Sequence, residues 1–150
     1  MRQLALAVAV AATLVAGGDC GSSERPAAPP TVAVRTPMTL TAASPTARFP
    51  ADRSASANLV TVRVVSIQNP ALQGLVLSVG IEVGQRTIDV GRVSPFPADQ
   101  PGTYVLRLPS DAVRAVRTSS TTIVVTVSPI AAGPVAPGVT LAVDAGLSPA

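Results

Sequence analysis

The sequence predicts an all-β protein, a small antiparallel β-sandwich. Apolar residues alternate with polar ones in several short runs, and segments rich in glycine and proline separate those runs. A helical spacing of apolar residues is almost missing. Short strands joined by such loops are typical of a sandwich, because each sheet has to bury one apolar face against a second layer.

The first strand of the predicted folded domain lies in "LVTVRVVSI", residues 59–67. Val60, Val62 and Val64 alternate with polar residues, and the alternation then changes phase. This change predicts a β-bulge near Val64 and Val65. The following "NPALQG", residues 69–74, has the composition of a turn.

A β-hairpin is predicted in "LVLSVGIEVGQRTIDVGRV", residues 75–93. Its first half places five aliphatic residues on one face, and Gly84-Gln85 then has glycine at the first position of a two-residue turn. The pairs predicted across this turn are Val83 with Arg86, Ile81 with Ile88, and Val79 with Val90. Apolar side chains then meet on one face, which a one-residue slip would destroy.

The rest of the chain predicts a loop, a helical turn and three more strands. "SPFPADQPG", residues 94–102, contains too many prolines for a strand. "PSDAVRAV", residues 109–116, predicts one helical turn with Ser110 as its N-cap. The apolar faces of the strands are Tyr104, Leu106 and Leu108, then Ile123, Val125 and Val127, then Leu141 and Val143.

Residues 1–20 resemble a signal peptide. A basic start, an apolar run over residues 4–15 and small residues after it follow in the order of a secretory signal. The run is shorter than the roughly 20 residues that a membrane-spanning helix needs. We therefore expect an exported protein, either held at the cell envelope or secreted.

Cys20 is the only cysteine, and its position leaves two interpretations open. Its place after the apolar run, followed by a flexible Gly-Ser-Ser, resembles a bacterial lipoprotein, in which this residue carries a lipid anchor. Gly17 and Asp19 do not fit that signal, which has a Leu-like residue three positions before the cysteine and a small residue immediately before it. The alternative is plain secretion, with cleavage near this position.

Residues 21–56 are predicted to be a flexible, proline-rich tether, so the folded domain is predicted to be residues 57–150. Prolines at positions 26, 29, 30, 37, 45 and 50 remove backbone donors and disfavour helix. A single strand is expected within the tether, near Met38–Thr41.

Composition excludes several kinds of chemistry. The chain has no histidine, so the usual imidazole bases and the histidine ligands of zinc and copper are missing. Its basic residues are all arginines, and they do not cluster with aromatic residues as in a nucleic-acid-binding protein. The acids named here, Glu82, Asp89, Asp99, Asp111 and Asp144, are scattered one per element and are expected to be solvated. We therefore expect no catalytic residues, no cofactor and no metal.

Part of the sequence resembles the small β-sandwich domain that follows the copper domain in tyrosinase and polyphenol-oxidase-like proteins. The resemblance covers residues 59–145 and depends on "LVTVRVVSIQNPALQGLVLSVGIEV" and "VGRVSPFPADQPGTYVLRLPSDAV", with Gly91, Val93, Ser94 and Phe96 at the matching positions. In those enzymes the domain packs on the catalytic domain and shields it. The resemblance therefore implies a role in packing against a partner.

These observations favour a non-enzymatic domain that binds or packs against another envelope or secreted protein. Binding is expected at the 94–102 loop and the neighbouring strand ends, through Phe96, Asp99 and Tyr104. Phe96 is expected either to be presented to the partner or to be buried as a plug of the loop. The alternative function is a carbohydrate-binding or weakly hydrolytic accessory module.

Overall fold

The computed structural model describes residues 36–150. In chain order the elements are β1 (Met38–Thr41), β2 (Thr46–Ala51), β3 (Leu59–Gln68), β4 (Leu75–Val83), β5 (Arg86–Val93), β6 (Gly102–Arg107), α1 (Ser110–Thr118), β7 (Thr121–Pro129) and β8 (Thr140–Ser148). The predicted signal peptide, Cys20 and the first part of the predicted tether lie outside the described residues. Within the described part, no helix is both long and apolar enough to cross a membrane.

The strands form two antiparallel four-stranded sheets, and the predicted all-β sandwich is confirmed. The strand orders are β1-β8-β3-β6 and β2-β7-β4-β5. Their inner faces share one apolar core, whose largest fully buried side chains are Leu40, Leu75, Leu77, Ile81, Ile123, Leu141, Val60, Val62, Val64, Val79, Val116 and Val125. Burial of each such side chain contributes about 1.5–3 kcal/mol to folding.

The folded part begins before the boundary predicted at residue 57. The strand expected at Met38–Thr41 is confirmed, and β2 adds a second strand within the predicted tether. Both belong to the sandwich, because Leu40 and Phe49 are buried in the core. Prolines in this stretch led to the prediction of a tether, but Pro50 is tolerated in β2 because this strand is at a sheet edge.

The predicted hairpin is confirmed near its turn and differs farther from it. Gly84 has a φ of +60°, and the pairs Val83 with Arg86 and Ile81 with Ile88 are present. The predicted pair of Val79 with Val90 is wrong, because Val79 lies opposite Gly91. The register shifts at a bulge in which Gly91 has a φ of +150°. Beyond the bulge, inward-facing residues of β4 again lie opposite inward-facing residues of β5, as in the pair of Leu77 with Val93.

The first predicted bulge is also confirmed. In β3 the register against β8 shifts between Val64 and Ser66. Val64 is buried, whereas Val65 is 41% exposed. The extra residue lets Ile67 return to the inner face, where it lies opposite Leu141 of β8 and packs against the core.

The predicted helical turn is a longer helix with a different N-cap. α1 has nine residues, Pro109 occupies the N-cap position, and Ser110 is the first helical residue. No side chain caps the N-terminus of the helix through a hydrogen bond, whereas at its C-terminus the Ser119 hydroxyl donates to the carbonyl of Ala115 at 3.1 Å. Proline suits this position because it has no N–H to satisfy, and the helix is extended by the burial of Ala112 and Val116.

The turn provides a test of the hairpin. Gly84→Val is expected to lower the free energy of unfolding by about 1–3 kcal/mol, because a β-branched residue has to adopt a positive φ there. A Cβ at this position would meet no atom within 4 Å, so the cost is backbone strain and not a clash. Urea unfolding measures it, and Gln85→Val is the control. Equal stability of the two variants would contradict the assigned turn.

The two faces of β4 provide a second test. Ile81→Asp buries a charge in the core, so we expect the free energy of unfolding to fall by more than about 3 kcal/mol. Glu82→Ala on the outer face removes only a surface ion pair, worth less than about 1 kcal/mol. Thermal unfolding compares the two. A larger loss for Glu82→Ala would show that the faces are inverted.

Candidate functional site

Three loops meet at one end of the sandwich and line an open groove of about 470 Å³. They are the β3–β4, β5–β6 and β7–β8 loops. The residues that line the groove are Leu72, Gly74, Ser94, Pro95, Phe96, Pro97, Ala98, Asp99 and Ile130. Two other depressions, beside α1 and over Gly80 on the outer face of β4, are about half as large, at 230 and 210 Å³.

Each loop contributes one large apolar side chain that is exposed to solvent. Phe96 is 93% exposed, Leu72 65% and Ile130 64%. These are half of the large hydrophobic residues that are exposed in the described part of the chain. The alternative in which Phe96 is buried as a plug of its loop is therefore wrong. The groove is an apolar surface that nothing in residues 36–150 covers.

Asn69 fixes the first of these loops to the second. Its side chain is buried, and its Nδ2 donates to the carbonyl of Gln73 at 2.8 Å and to the carbonyl of Ala98 at 3.0 Å. Its Oδ1 accepts a bond from the Gln73 backbone N–H at 3.0 Å. One amide group thus closes the β3–β4 loop on itself and attaches it to the β5–β6 loop.

Gln73 fixes the first loop to the third. Its Nε2 donates to the carbonyl of Pro134 at 3.2 Å, and its Oε1 accepts a bond from the Ala136 N–H at 2.8 Å. A backbone bond from Ile130 to the carbonyl of Gly74 joins the same two loops at 2.9 Å. The three apolar side chains are therefore carried by loops that hydrogen bonds hold together.

Leu72 has an unusual backbone conformation. Its φ is +48°, the only positive φ of a non-glycine residue among those described. Its N–H donates to the carbonyl of Asn69 at 2.9 Å, which closes a turn through Pro70. A leucine in this region of φ is strained, and such strain persists only where the surrounding structure enforces it. Here the closed turn enforces it and leaves the leucine side chain exposed.

The structure brings two of the three predicted binding residues to the groove. Phe96 and Asp99 both line it, and Asp99 is exposed. Tyr104 does not line it, because this residue lies on the inner face of β6 and packs against the core. Side chains of β6 alternate between the two faces of the sheet, so Tyr104 lies on the inner face whereas its neighbours Thr103 and Val105 are exposed.

Four residues of this end were not identified from the sequence: Leu72, Ile130, Asn69 and Gln73. The "NPALQG" stretch indicated a turn, but the roles of its amides depend on loops 29 and 61–63 residues away. The sequence carries one signal for Leu72, because a leucine within a turn of this composition is expected to lie outside the core. The position of Ile130 after Pro129 carried a similar signal.

The scattered carboxylates are mostly paired with arginines. Glu82 lies 3.2 Å from Arg48, and Asp111 lies at the same distance from Arg86. Asp144 on β8 lies 3.3 Å from Arg63. Asp144 is buried, so the expectation that this acid is solvated is wrong. Over residues 36–150, no group of three or more acidic, histidine or cysteine side chains could hold a metal ion. These ion pairs belong to separate surfaces and do not meet at the groove.

No protein-family model matches this chain, and no curated protein is significantly similar to it. The resemblance to the sandwich domain of tyrosinase-like proteins therefore depends on the quoted residues alone. Of those residues, Gly91 forms the β5 bulge and Phe96 is exposed at the groove.

The hydrogen bonds of Asn69 can be tested by Asn69→Ala. The change leaves partly buried backbone groups of Gln73 and Ala98 without their side-chain partner, so we expect a loss of about 1–3 kcal/mol in the free energy of unfolding. Hydrogen exchange of the Gln73 amide is expected to become faster. Gln68→Ala, which removes an exposed amide, is the control. Unchanged exchange at Gln73 would contradict the role assigned to Asn69.

Proposed function

We propose that this chain is an exported, non-enzymatic β-sandwich protein that binds another protein through the groove between its loops. The observation that carries the proposal is the convergence of Leu72, Phe96 and Ile130, exposed and held by loops that Asn69 and Gln73 join. Large apolar side chains grouped on a surface typically mark an interaction site.

The arrangement suits recognition of a protein surface. An exposed aromatic side chain beside a concave apolar surface offers both an anchor for a partner's pocket and a pocket for a partner's side chain. Because hydrogen bonds already hold the loops, little conformational entropy is lost when the partner binds. The carboxylate of Asp99 adds one negative charge, which favours a basic group on the partner.

The same surface supports binding without a reaction. Asp99 is the one ionisable side chain that lines the groove, and the chain has no histidine to act as a base beside it. Hydrolysis of the usual carboxylate type needs two acids that face one substrate. Glu82, Asp111 and Asp144 pair with arginines away from this end of the sandwich.

Residues 1–20 support an envelope or secreted location for the partner. Their order of charge, apolar run and small residues is that of an export signal, and Cys20 offers a position for a lipid anchor. Anchoring through Cys20 and free secretion remain the two alternatives. Both place the groove outside the cytoplasm, where its partner would have to be.

The experiment replaces Phe96 by a photo-crosslinking phenylalanine derivative in the producing cells. Illumination is expected to give a discrete adduct whose second component mass spectrometry identifies. The control carries the same group at Gln85, in the exposed turn at the opposite end of β5. The absence of an adduct specific to position 96 would contradict the proposal.

Phe96→Ala separates binding from stability. Since the side chain is 93% exposed, we expect the free energy of unfolding to change by less than about 0.5 kcal/mol. Binding to the partner identified by crosslinking is expected to weaken at least tenfold. A folded variant that binds this partner with unchanged affinity would show that the groove is not the binding surface.

A further inference from the structure

The sandwich has four edge strands, and β6 lacks the features that protect the other three. β1 has only four residues, β2 contains Pro50, and β5 is distorted by the bulge at Gly91. Short length, proline and bulges all discourage an edge from pairing with another strand. β6 spans Gly102–Arg107, six residues that contain no proline and whose register against β3 is unbroken.

The hydrogen bonds of β6 show which of its backbone groups face the open edge. The Leu108 N–H donates to the carbonyl of Asn58 at 2.9 Å, next to the pair of Leu59 with Arg107. In an antiparallel ladder, residues alternate between bonding the neighbour and facing away from it. Gly102, Tyr104 and Leu106 therefore bond β3, whereas Thr103, Val105 and Arg107 direct their N–H and C=O groups to the open edge.

The side chains at this edge are exposed as well. Val105 is 58% exposed on the outer face, between the exposed Thr103 and Arg107. Since β6 ends the sheet β1-β8-β3-β6, no further strand of the described chain lies beside these groups. The edge thus offers a row of backbone donors and acceptors together with an apolar side chain at its centre.

We propose that β6 pairs with β6 of a second copy of this chain, antiparallel and centred on Val105. In this register Val105 lies opposite the same residue of the other copy, and Thr103 lies opposite Arg107. All of the outward-facing backbone groups then meet outward-facing groups, as an antiparallel ladder requires. No like charges lie directly opposite each other, and Tyr104 lies opposite Leu106 on the inner face.

The flanking prolines select this register. Shifting one copy by two residues in one direction brings Pro101 opposite Arg107, and shifting it in the other brings Pro109 opposite Thr103. Either shift removes a donor, because proline has no N–H. The edge is therefore self-complementary in one register, which favours a second copy over an unrelated strand. The proposal is independent of the groove, whose residues it does not use.

The test is sedimentation velocity of the full-length chain over a series of concentrations. We expect a reversible dimer. Val105→Pro removes the donor at the centre of the interface without removing a bond to β3, and Val105→Lys places like charges opposite each other. Both are expected to raise the dimer dissociation constant at least tenfold. Val65→Lys, the same change at an exposed valine of the β3 bulge, is expected to leave it unchanged.

Hydrogen exchange provides a second readout. As the dimer forms, the amides of Thr103, Val105 and Arg107 are expected to exchange more slowly, whereas those of Tyr104 and Leu106 already bond β3 and change little. A chain that stays monomeric at the highest concentration would overturn the proposal. So would equal effects of Val105→Lys and Val65→Lys, or slowed exchange at these amides only when a different protein is added.

Discussion

The burial of two aliphatic sheet faces against each other is the interaction on which the rest of the structure depends. The core of the described residues consists almost entirely of Val, Leu, Ile and Ala, and Phe49 is its one buried aromatic residue. Side chains of this size fill the space between two sheets only if every second residue of each strand points inwards. This requirement sets the register of each pair, and it accounts for both bulges, which occur where the alternation of two neighbouring strands differs in phase.

A sandwich leaves the outer edges of its sheets without a neighbouring strand, and this chain treats those edges unequally. β1 is protected by its short length, β2 by a proline and β5 by a bulge. β6 has no such protection, and its six residues are enough to pair with a further strand. The same sheets also determine where the loops emerge. The groove is therefore a consequence of strand order, because β3, β5 and β7 all end at the same side of the sandwich.

At the groove, a polar side chain is buried and large apolar side chains are exposed, which is the reverse of the usual distribution. The amide of Asn69 is buried beneath the loops, whereas Leu72 and Phe96 are on the outside. Buried polar groups are tolerated when all their hydrogen bonds are made, and Asn69 uses both of its amide atoms. The result is an apolar surface carried by loops that hydrogen bonds join to one another.

The sequence by itself determined the fold class, the strands from Leu59 onwards, the first bulge and the Gly84 turn. These features follow from short-range patterns: alternation, phase change and the conformational freedom of one glycine. It also placed Phe96 and Asp99 in the 94–102 loop, which lines the groove. Only the tertiary structure decided that β2 belongs to the sandwich despite Pro50, because tolerance of a proline depends on whether the strand is at an edge. Likewise, Leu72 and Ile130 join Phe96 only because strand order brings three distant loops together, and the amides of Asn69 and Gln73 find their partners only there.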